Sequence, residues 1–385
     1  KIYKMDNLQP RDFRKDRRFI FFTFLALTFF GTLMIYESSS LTAFRTTGDA
    51  AYFFKKQFIF FIVGLVLFFL TLLLDLDFLR RHSKVLLLTT IIILLVLLVI
   101  GKKAGGAKRW FHLFGLNFQP SEFLKIFFLV YCIDYIVKRK SLIKNFTTLL
   151  PLGIILGAVS LIVLLQPDLG TAVFWILWSL LILFLYRARK KHLVLTICGG
   201  AVVLFFLIAL HPYRFRRITG YLNPFADPQD TGFQLIQSQI AYGQGGLFGV
   251  GLGESMQKLF FLPAAHTDFI FSIIAEEFGL LGSFGMLLIF FIVFHKMYNI
   301  AKASEDSFRK GILTGITLIF FLEVVINVGV SCGLLPTKGL SLPFISYGGS
   351  NLIVHYILLA LFFNASRQDE KKIYKESTND SSEWL

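Results

Sequence analysis

The chain has 385 residues, of which 55% are hydrophobic and only 16% charged, with a formal net charge of +15. So apolar a composition excludes an ordinary soluble domain, and basic residues dispersed between apolar runs, rather than gathered into one stripe, argue against nucleic-acid binding. Cys132, Cys198 and Cys332 lack the spacing of a disulfide framework or a zinc site.

In chain order, a basic start leads into Phe19 to Tyr36, which reads as a retained first helix because no small-residue cleavage site follows. Further helices are expected at Phe58 to Leu74, Val85 to Ile100, Phe123 to Val137, Leu149 to Leu165, Thr171 to Tyr186 and Leu193 to Leu210. Most approach the roughly 20 residues that cross a hydrocarbon core. A long polar connection, His211 to about Phe269, intervenes before Phe278 to Phe294, Ile312 to Val330 and Asn351 to Phe363 complete ten. The expected architecture is all-α and polytopic, with a tail over 1–18 and a transmembrane domain over 19–364. Its large extracytoplasmic loop, 211–269, lies between helices 7 and 8, and a second tail covers 365–385. No internal repeat and no second domain is visible.

Within that loop, Asn223 to Gly232 is rich in Pro, Asp and Gly and should turn. Phe233 to Ala241 sets Phe233, Ile236 and Ile240 on one face of a helix lying in the interface. Gly243 to Gly253 lacks the Lys-Ser or Lys-Thr of a phosphate loop and reads as a close-packed turn against lipid or substrate.

Orientation follows from the retention of Lys and Arg in the cytoplasm. Arg14, Lys15, Arg80, Arg81, Lys138, Arg139, Arg187, Lys190, Lys302, Lys310 and Lys371 share one side with both termini, which places the termini in the cytoplasm. Lys102, Lys103, Lys108, Arg109, Arg214, Arg216, Arg217 and Lys338 break the rule on the outer side. Either these charges are merely tolerated, or the outer surface binds an anion.

Asp268, in His266-Thr267-Asp268-Phe269, stands where the chain returns into the membrane. It reads as the cap of that helix, or as a partly desolvated carboxylate basic enough to take a proton from a hydroxyl. A helix starting near Asp268 would put Ser272 and Glu276 on its face, and would carry Glu276 and Glu277 into the bilayer. Carboxylates there pair with a base or face a wet cavity. Glu122 and Lys125 are spaced to pair at the start of the fourth helix, behind Pro120 and a capping Ser121, or to line a polar cavity. Asp168, in Gln166-Pro167-Asp168-Leu169-Gly170-Thr171, makes a tight outer turn and can cap the sixth helix. Lys338 lies in Leu335-Pro336-Thr337-Lys338-Gly339, ahead of a Gly- and Ser-rich run that reads as re-entrant. It is either solvated or part of a phosphate site. Trp110 is an interfacial anchor or a platform for a sugar ring.

Together these segments resemble the SEDS family of FtsW, RodA and SpoVE. The motifs are Arg109-Trp110, Gln119-Pro120-Ser121-Glu122, Gln166 to Thr171, His266-Thr267-Asp268-Phe269 and Ser346-Tyr347-Gly348-Gly349-Ser350, in order across almost the whole helical region. Gly246 to Gly253 and Leu335 to Leu340 look more like FtsW or SpoVE than RodA. The resemblance implies ten helices and an enzyme polymerising lipid II into glycan strands during cell division, beside a class B penicillin-binding protein and other divisome membrane proteins. It places the essential acid on Asp268 and importance on Trp110, Glu276, Lys338 and the basic residues near Arg217. Arg109, Arg216 and His266 join these as candidate substrate contacts, and Glu122, Lys125, Asp168 and Ser350 as structural or cavity residues. Ala264 departs from the many relatives with Glu there and receives no catalytic role. A divalent cation, Mg or Mn, is a candidate cofactor that no ligand cluster identifies. A lipid II transporter and a non-catalytic division scaffold are the rival readings; the lack of an inverted repeat weakens the former.

Overall fold

In the computed structural model, residues 13–104, 107–113, 116–209, 212–259, 261–263, 265–336 and 339–382 are described. The helices are α1 (Arg14–Thr47), α2 (Tyr52–Thr71), α3 (Leu76–Ile100), α4 (Pro120–Lys138), α5 (Phe146–Leu165), α6 (Leu169–Leu185), α7 (Lys190–Ala209), α8 (Pro212–Leu222), α9 (Phe233–Gly245), α10 (Ile270–Ala303), α11 (Ser307–Ser331) and α12 (Gly349–Ser382). Ten of them correspond to the ten apolar runs, and α8 and α9 lie in the long connection. Seven, namely α1, α2, α3, α5, α10, α11 and residues Gly349–Arg367 of α12, are long and apolar enough by themselves to cross a membrane, and α6 is a shorter apolar helix of 17 residues. The protein is therefore a multi-pass, all-α membrane protein.

Where the helices sit follows from what they carry. Charged α4, with Glu122, Lys125, Asp134 and Lys138, lies at the centre, packed on α3, α11 and α12. Leu124, Phe128, Leu129 and Ile133 on it are wholly enclosed. A charged helix is tolerated there because protein, not lipid, surrounds it and supplies partners. The first half of α12 is similarly enclosed among α2, α4 and α11. Outer helices turn large apolar side chains outward, among them Phe22, Phe29, Phe69, Val99, Phe284 and Phe291, as a lipid-facing surface requires.

Several local expectations are corrected. Between α3 and α4, where no element was expected, β1 (Lys102–Ala104), β2 (Ala107–Leu113) and β3 (Leu116–Phe118) pair as a three-stranded antiparallel sheet. Helix α9 docks on α10 through Leu235, Ser238, Ala241 and Gly245, a contact the sequence did not indicate, and leaves the Phe233, Ile236 and Ile240 face outside the protein core. Gly245 permits that approach: a Cβ there would fall 2.1 Å from the Ala275 carbonyl oxygen. The glycine-rich turn after α9 also packs on protein. Val250 N–H donates to the Glu276 carbonyl at 3.0 Å, Gly251 N–H to that of Glu277 at 3.1 Å, and Leu280 N–H to that of Gly246 at 2.9 Å. These bonds seat a break in α10, where Gly279 adopts φ 67 and ψ −166, a conformation open to glycine and closed to β-carbon-bearing residues. Ser121 does not cap α4; its hydroxyl accepts from the Gln119 side-chain amide at 3.0 Å. The last helix continues in backbone to Ser382, well past the expected end near Phe363.

Candidate active site

Asp268 precedes the first turn of α10, and its setting is built from four separate elements. The Asn327 side-chain amide of α11 donates to the Asp268 carbonyl at 3.0 Å and to the Leu340 carbonyl at 2.7 Å, fixing the turn against the loop before α12. Tyr347 N–H donates to the His266 carbonyl at 2.9 Å, and the Ser346 hydroxyl to the Thr267 carbonyl at 2.6 Å. Gln57 of α2 holds the far side of that loop, accepting from Gly348 N–H at 3.3 Å and donating to the Ser346 carbonyl at 3.4 Å. The Pro343 to Ser350 run thus acts as a clamp on residues 266–268. Gly339 leaves room for the carboxylate, since a Cβ there would lie 2.9 Å from Asp268 Oδ2.

The cap reading of Asp268 does not hold. Phe269 is the N-cap of α10 and no side chain caps the helix. The carboxylate instead sits half-buried beside three charged groups. Burial, then the negative charge of Asp168, push its carboxyl from 3.8 up to about 6, while Arg217 and Arg109 act in the opposite direction. A carboxylate of that basicity is charged at neutral pH and still able to accept a proton.

Arg109, on β2, donates through Nε to the Gln166 carbonyl at 2.7 Å and through Nη2 to the Pro167 carbonyl, and its Nη1 lies 3.7 Å from Asp168 Oδ2. Asp168 does cap α6, accepting from Thr171 N–H at 3.1 Å. The unexpected meander therefore places Arg109 beside the α5–α6 turn, and both belong to the surroundings of Asp268. Trp110 follows it on β2, half-buried, and neighbouring strand residues project to opposite faces. Arg216 and Arg217 are exposed on α8, and Arg217 is near enough to act on the Asp268 carboxyl. The His266 ring packs 4.7 Å from Phe53 and 5.6 Å from Tyr347, and burial pushes its imidazole down to about 4. It is neutral at physiological pH and offers hydrogen bonds, not charge. Lys338 lies outside the described residues.

Glu276 sits elsewhere in the molecule. Its wholly buried carboxylate accepts from the Ser255 hydroxyl, Met256 N–H at 2.9 Å and Gln257 N–H at 3.4 Å, tying the loop onto α10. Glu277 pairs at 2.9 Å with Lys258, which also meets Glu37 of α1 at 2.6 Å. Ser272 bonds Ser238 of α9 at 2.7 Å. The expected common face of Asp268, Ser272 and Glu276 is thus divided: Asp268 faces Gly339, and the other two hold the loop.

A second polar cluster contains the expected Glu122–Lys125 pair and adds residues that the sequence did not bring to it. Lys125 Nζ lies 2.6 Å from Glu122, 2.7 Å from Asn351 Oδ1 and 2.5 Å from Glu323 of α11, and Glu323 meets His355 of α12 at 2.8 Å. The Ser350 hydroxyl accepts from Gln119 N–H at 2.9 Å and donates to the Asn117 carbonyl at 3.4 Å. This cluster ties together the starts of α4 and α12 beneath the loop that clamps Asp268. Glu323, His355 and Asn327 carried no sequence motif. Their signal was position alone: an ionisable or amide side chain inside an apolar run must have a partner.

The fold and this acid define a class, the polytopic membrane proteins with a half-buried carboxylate held at the start of a long apolar helix. Comparison narrows it further. The cell cycle protein family of FtsW, RodA and SpoVE matches residues 17–371, and the chain belongs to that family. It is 41% identical over 348 residues to a probable peptidoglycan glycosyltransferase FtsW of Trichlorobacter lovleyi, covering 89% of this chain and 91% of the relative. A protein of the same name from Escherichia coli O6:H1 is 40% identical over 344 residues, 88% of this chain and 83% of the relative. Among solved structures, one reported under "Structural coordination of polymerization and crosslinking by a peptidoglycan synthase complex" superposes with TM-score 0.75 at 29% identity, covering 91% of this chain and 97% of that one. A mutant of the rod shape determining protein RodA of Thermus thermophilus gives 0.64 at 25%, covering 90% and 96%.

Proposed function

We propose that this protein is a peptidoglycan glycosyltransferase that polymerises lipid II into β-1,4 glycan strands at the outer face of the bacterial cytoplasmic membrane during cell division. The observation that carries it is the environment of Asp268, an acid lifted to about 6 with two guanidinium groups near it, in a chain about 40% identical to proteins of that name.

The reaction needs one base. Asp268 takes the proton of the acceptor GlcNAc 4-hydroxyl as that oxygen attacks the anomeric carbon of the donor MurNAc. The new C–O bond forms as the bond to diphosphate breaks, and the electron pair leaves with undecaprenyl diphosphate. A single displacement converts the α-linked donor into a β-linked product, so no second carboxylate nucleophile is required. Arg109, Arg216 and Arg217 are the described cations that stabilise the charge growing on the leaving group, with Lys338 a further candidate. Mg or Mn, if bound, would share that role beside Asp168 and Asp268. The neutral His266 and half-buried Trp110 are suited to sugar hydroxyls and a ring face. We place both termini in the cytoplasm, the protein at the division septum, and a class B penicillin-binding protein beside it, consistent with a neighbour solved in a peptidoglycan synthase complex.

The test uses the purified protein with its transpeptidase partner and labelled lipid II. Wild type should make polymer, and Asp268→Asn should lose at least about 100-fold, the usual lower range for a general base. Lipid II transport with no polymer from wild type would replace the enzyme with a transporter, and polymer from Asp268→Asn would remove the acid from the mechanism.

A further inference from the structure

The end of the bundle opposite Asp268 holds a cavity that this chemistry does not use. It has a volume of about 800 Å³ and lies between the C-terminal ends of α6 and α10 and the start of α11. Second-half α10, running from Leu280 to Ala303, separates it from the Asp268 end by about 35 Å at 1.5 Å per residue. Four cations line it, Lys140, Arg187, Lys302 and Lys310, against one acid, Glu305, leaving three positive charges in excess. The Tyr186 hydroxyl donates to the Ser307 carbonyl at 3.2 Å and joins α6 to α11 across the cavity.

These cations differ from their neighbours at the same end. Arg80 and Lys138 are neutralised by Asp134 at 2.7 and 2.6 Å, and Lys296 by Asp16 at 2.5 Å. None of the four around the cavity has a carboxylate within ion-pair distance among the described residues. Leu185, Leu318 and Ala301 supply apolar wall beside them. Uncompensated charge at the mouth of an apolar cleft between spanning helices matches a ligand with an anionic head and a hydrocarbon body. A soluble anion would have no use for the apolar wall, and a neutral lipid none for the charges.

We propose that this cavity is a binding site for the headgroup of an anionic glycerophospholipid, held by Lys140, Arg187, Lys302 and Lys310 with its chains beside α6 and α11. The site is independent of the glycosyltransferase reading. Each cation at an anionic lipid surface is worth roughly fivefold in affinity, so neutralising two should cost roughly thirtyfold.

The full chain is placed in nanodiscs of phosphatidylcholine doped with phosphatidylglycerol, released, and its retained lipids counted by native mass spectrometry. Wild type should retain phosphatidylglycerol selectively, Lys302→Gln with Lys310→Gln should lose it by roughly thirtyfold, and Lys302→Arg with Lys310→Arg should keep it. Arg189→Gln with Lys191→Gln, at the same end outside the cavity, should also keep it. Should the glutamine pair fail to fold, the single variants Lys140→Gln and Arg187→Gln are read in its place. Equal retention by wild type and the neutralised variants overturns the site. Thermal stabilisation of wild type by inorganic phosphate equal to that by phosphatidylglycerol also overturns it, because the occupant would then be the free anion.

Discussion

Asp268, the base we propose, carries a cost in the folded state. Holding its carboxyl at about 6, against 3.8 in a free chain, favours the protonated form. Stability from this group is therefore fully present below about pH 4 and is lost as the pH rises through about 6. At neutral pH the ionised group costs up to roughly 3 kcal/mol. Asp268→Asn should accordingly melt at higher temperature than wild type at pH 7.5 while losing polymerisation; a lower melting temperature there would contradict the burial argument. In the mechanism we propose the base works deprotonated, so the polymerisation rate should rise with pH along a limb centred near 6. Asp168→Asn keeps a good helix cap but removes a negative neighbour, and should move that limb to lower pH. Arg217→Gln should move it to higher pH. Identical limbs in all three proteins would sink the electrostatic account. Asp268 was legible in sequence because a charged residue beside an apolar run is conspicuous, but its two readings differed only in what the carboxylate touches. That depends on Gly339 and Asn327, both remote in the chain.

Among the elements, the spanning helices were readable because apolar runs of sufficient length have few other uses, whereas what connects them depended on pairing. The strands within 102–118 are too short to produce an alternating pattern above noise, and the docking of α9 on α10 was not legible because Ser238, Ala241 and Gly245 carry little apolar surface. Gly279 is where these connections are most exposed to mutation. Gly279→Ala would place a Cβ 2.3 Å from Gly249 N in a backbone with φ 67 and ψ −166, costing about 1–3 kcal/mol from conformation before the collision is counted. Limited proteolysis should then cut within 246–259 far faster than in wild type; unchanged resistance would show that the turn does not depend on the break in α10. Glu323→Ala tests the cluster that joins α4, α11 and α12. It leaves Lys125 with Glu122 as its one carboxylate beside the Asn351 oxygen, and His355 without its Glu323 partner. Breaking a buried pair costs about 3–5 kcal/mol, to be read as a lower unfolding midpoint in detergent.

Across the whole molecule, charge is distributed by purpose at each end. At the end of α10 that carries Lys302, cations are numerous and several are held by Asp16 and Asp134, as expected of a cytoplasmic surface. At the other end, Arg109 and Arg217 lie in the surroundings of Asp268, and in the orientation we propose they break the charge rule. An exception of that kind has a reason only if this end faces the side where diphosphate-linked sugar is consumed. Orientation is thus a test of function as well as of topology. In a variant carrying Cys198→Ser and Cys332→Ser, which removes the two exposed thiols, Asp230→Cys on the loop should react with a membrane-impermeant maleimide in intact spheroplasts. Glu305→Cys, at the opposite end, should react only after permeabilisation. The reverse pattern would put Asp268 in the cytoplasm, on the wrong side of the membrane for strand synthesis, and would leave the outer cations with no anion to serve.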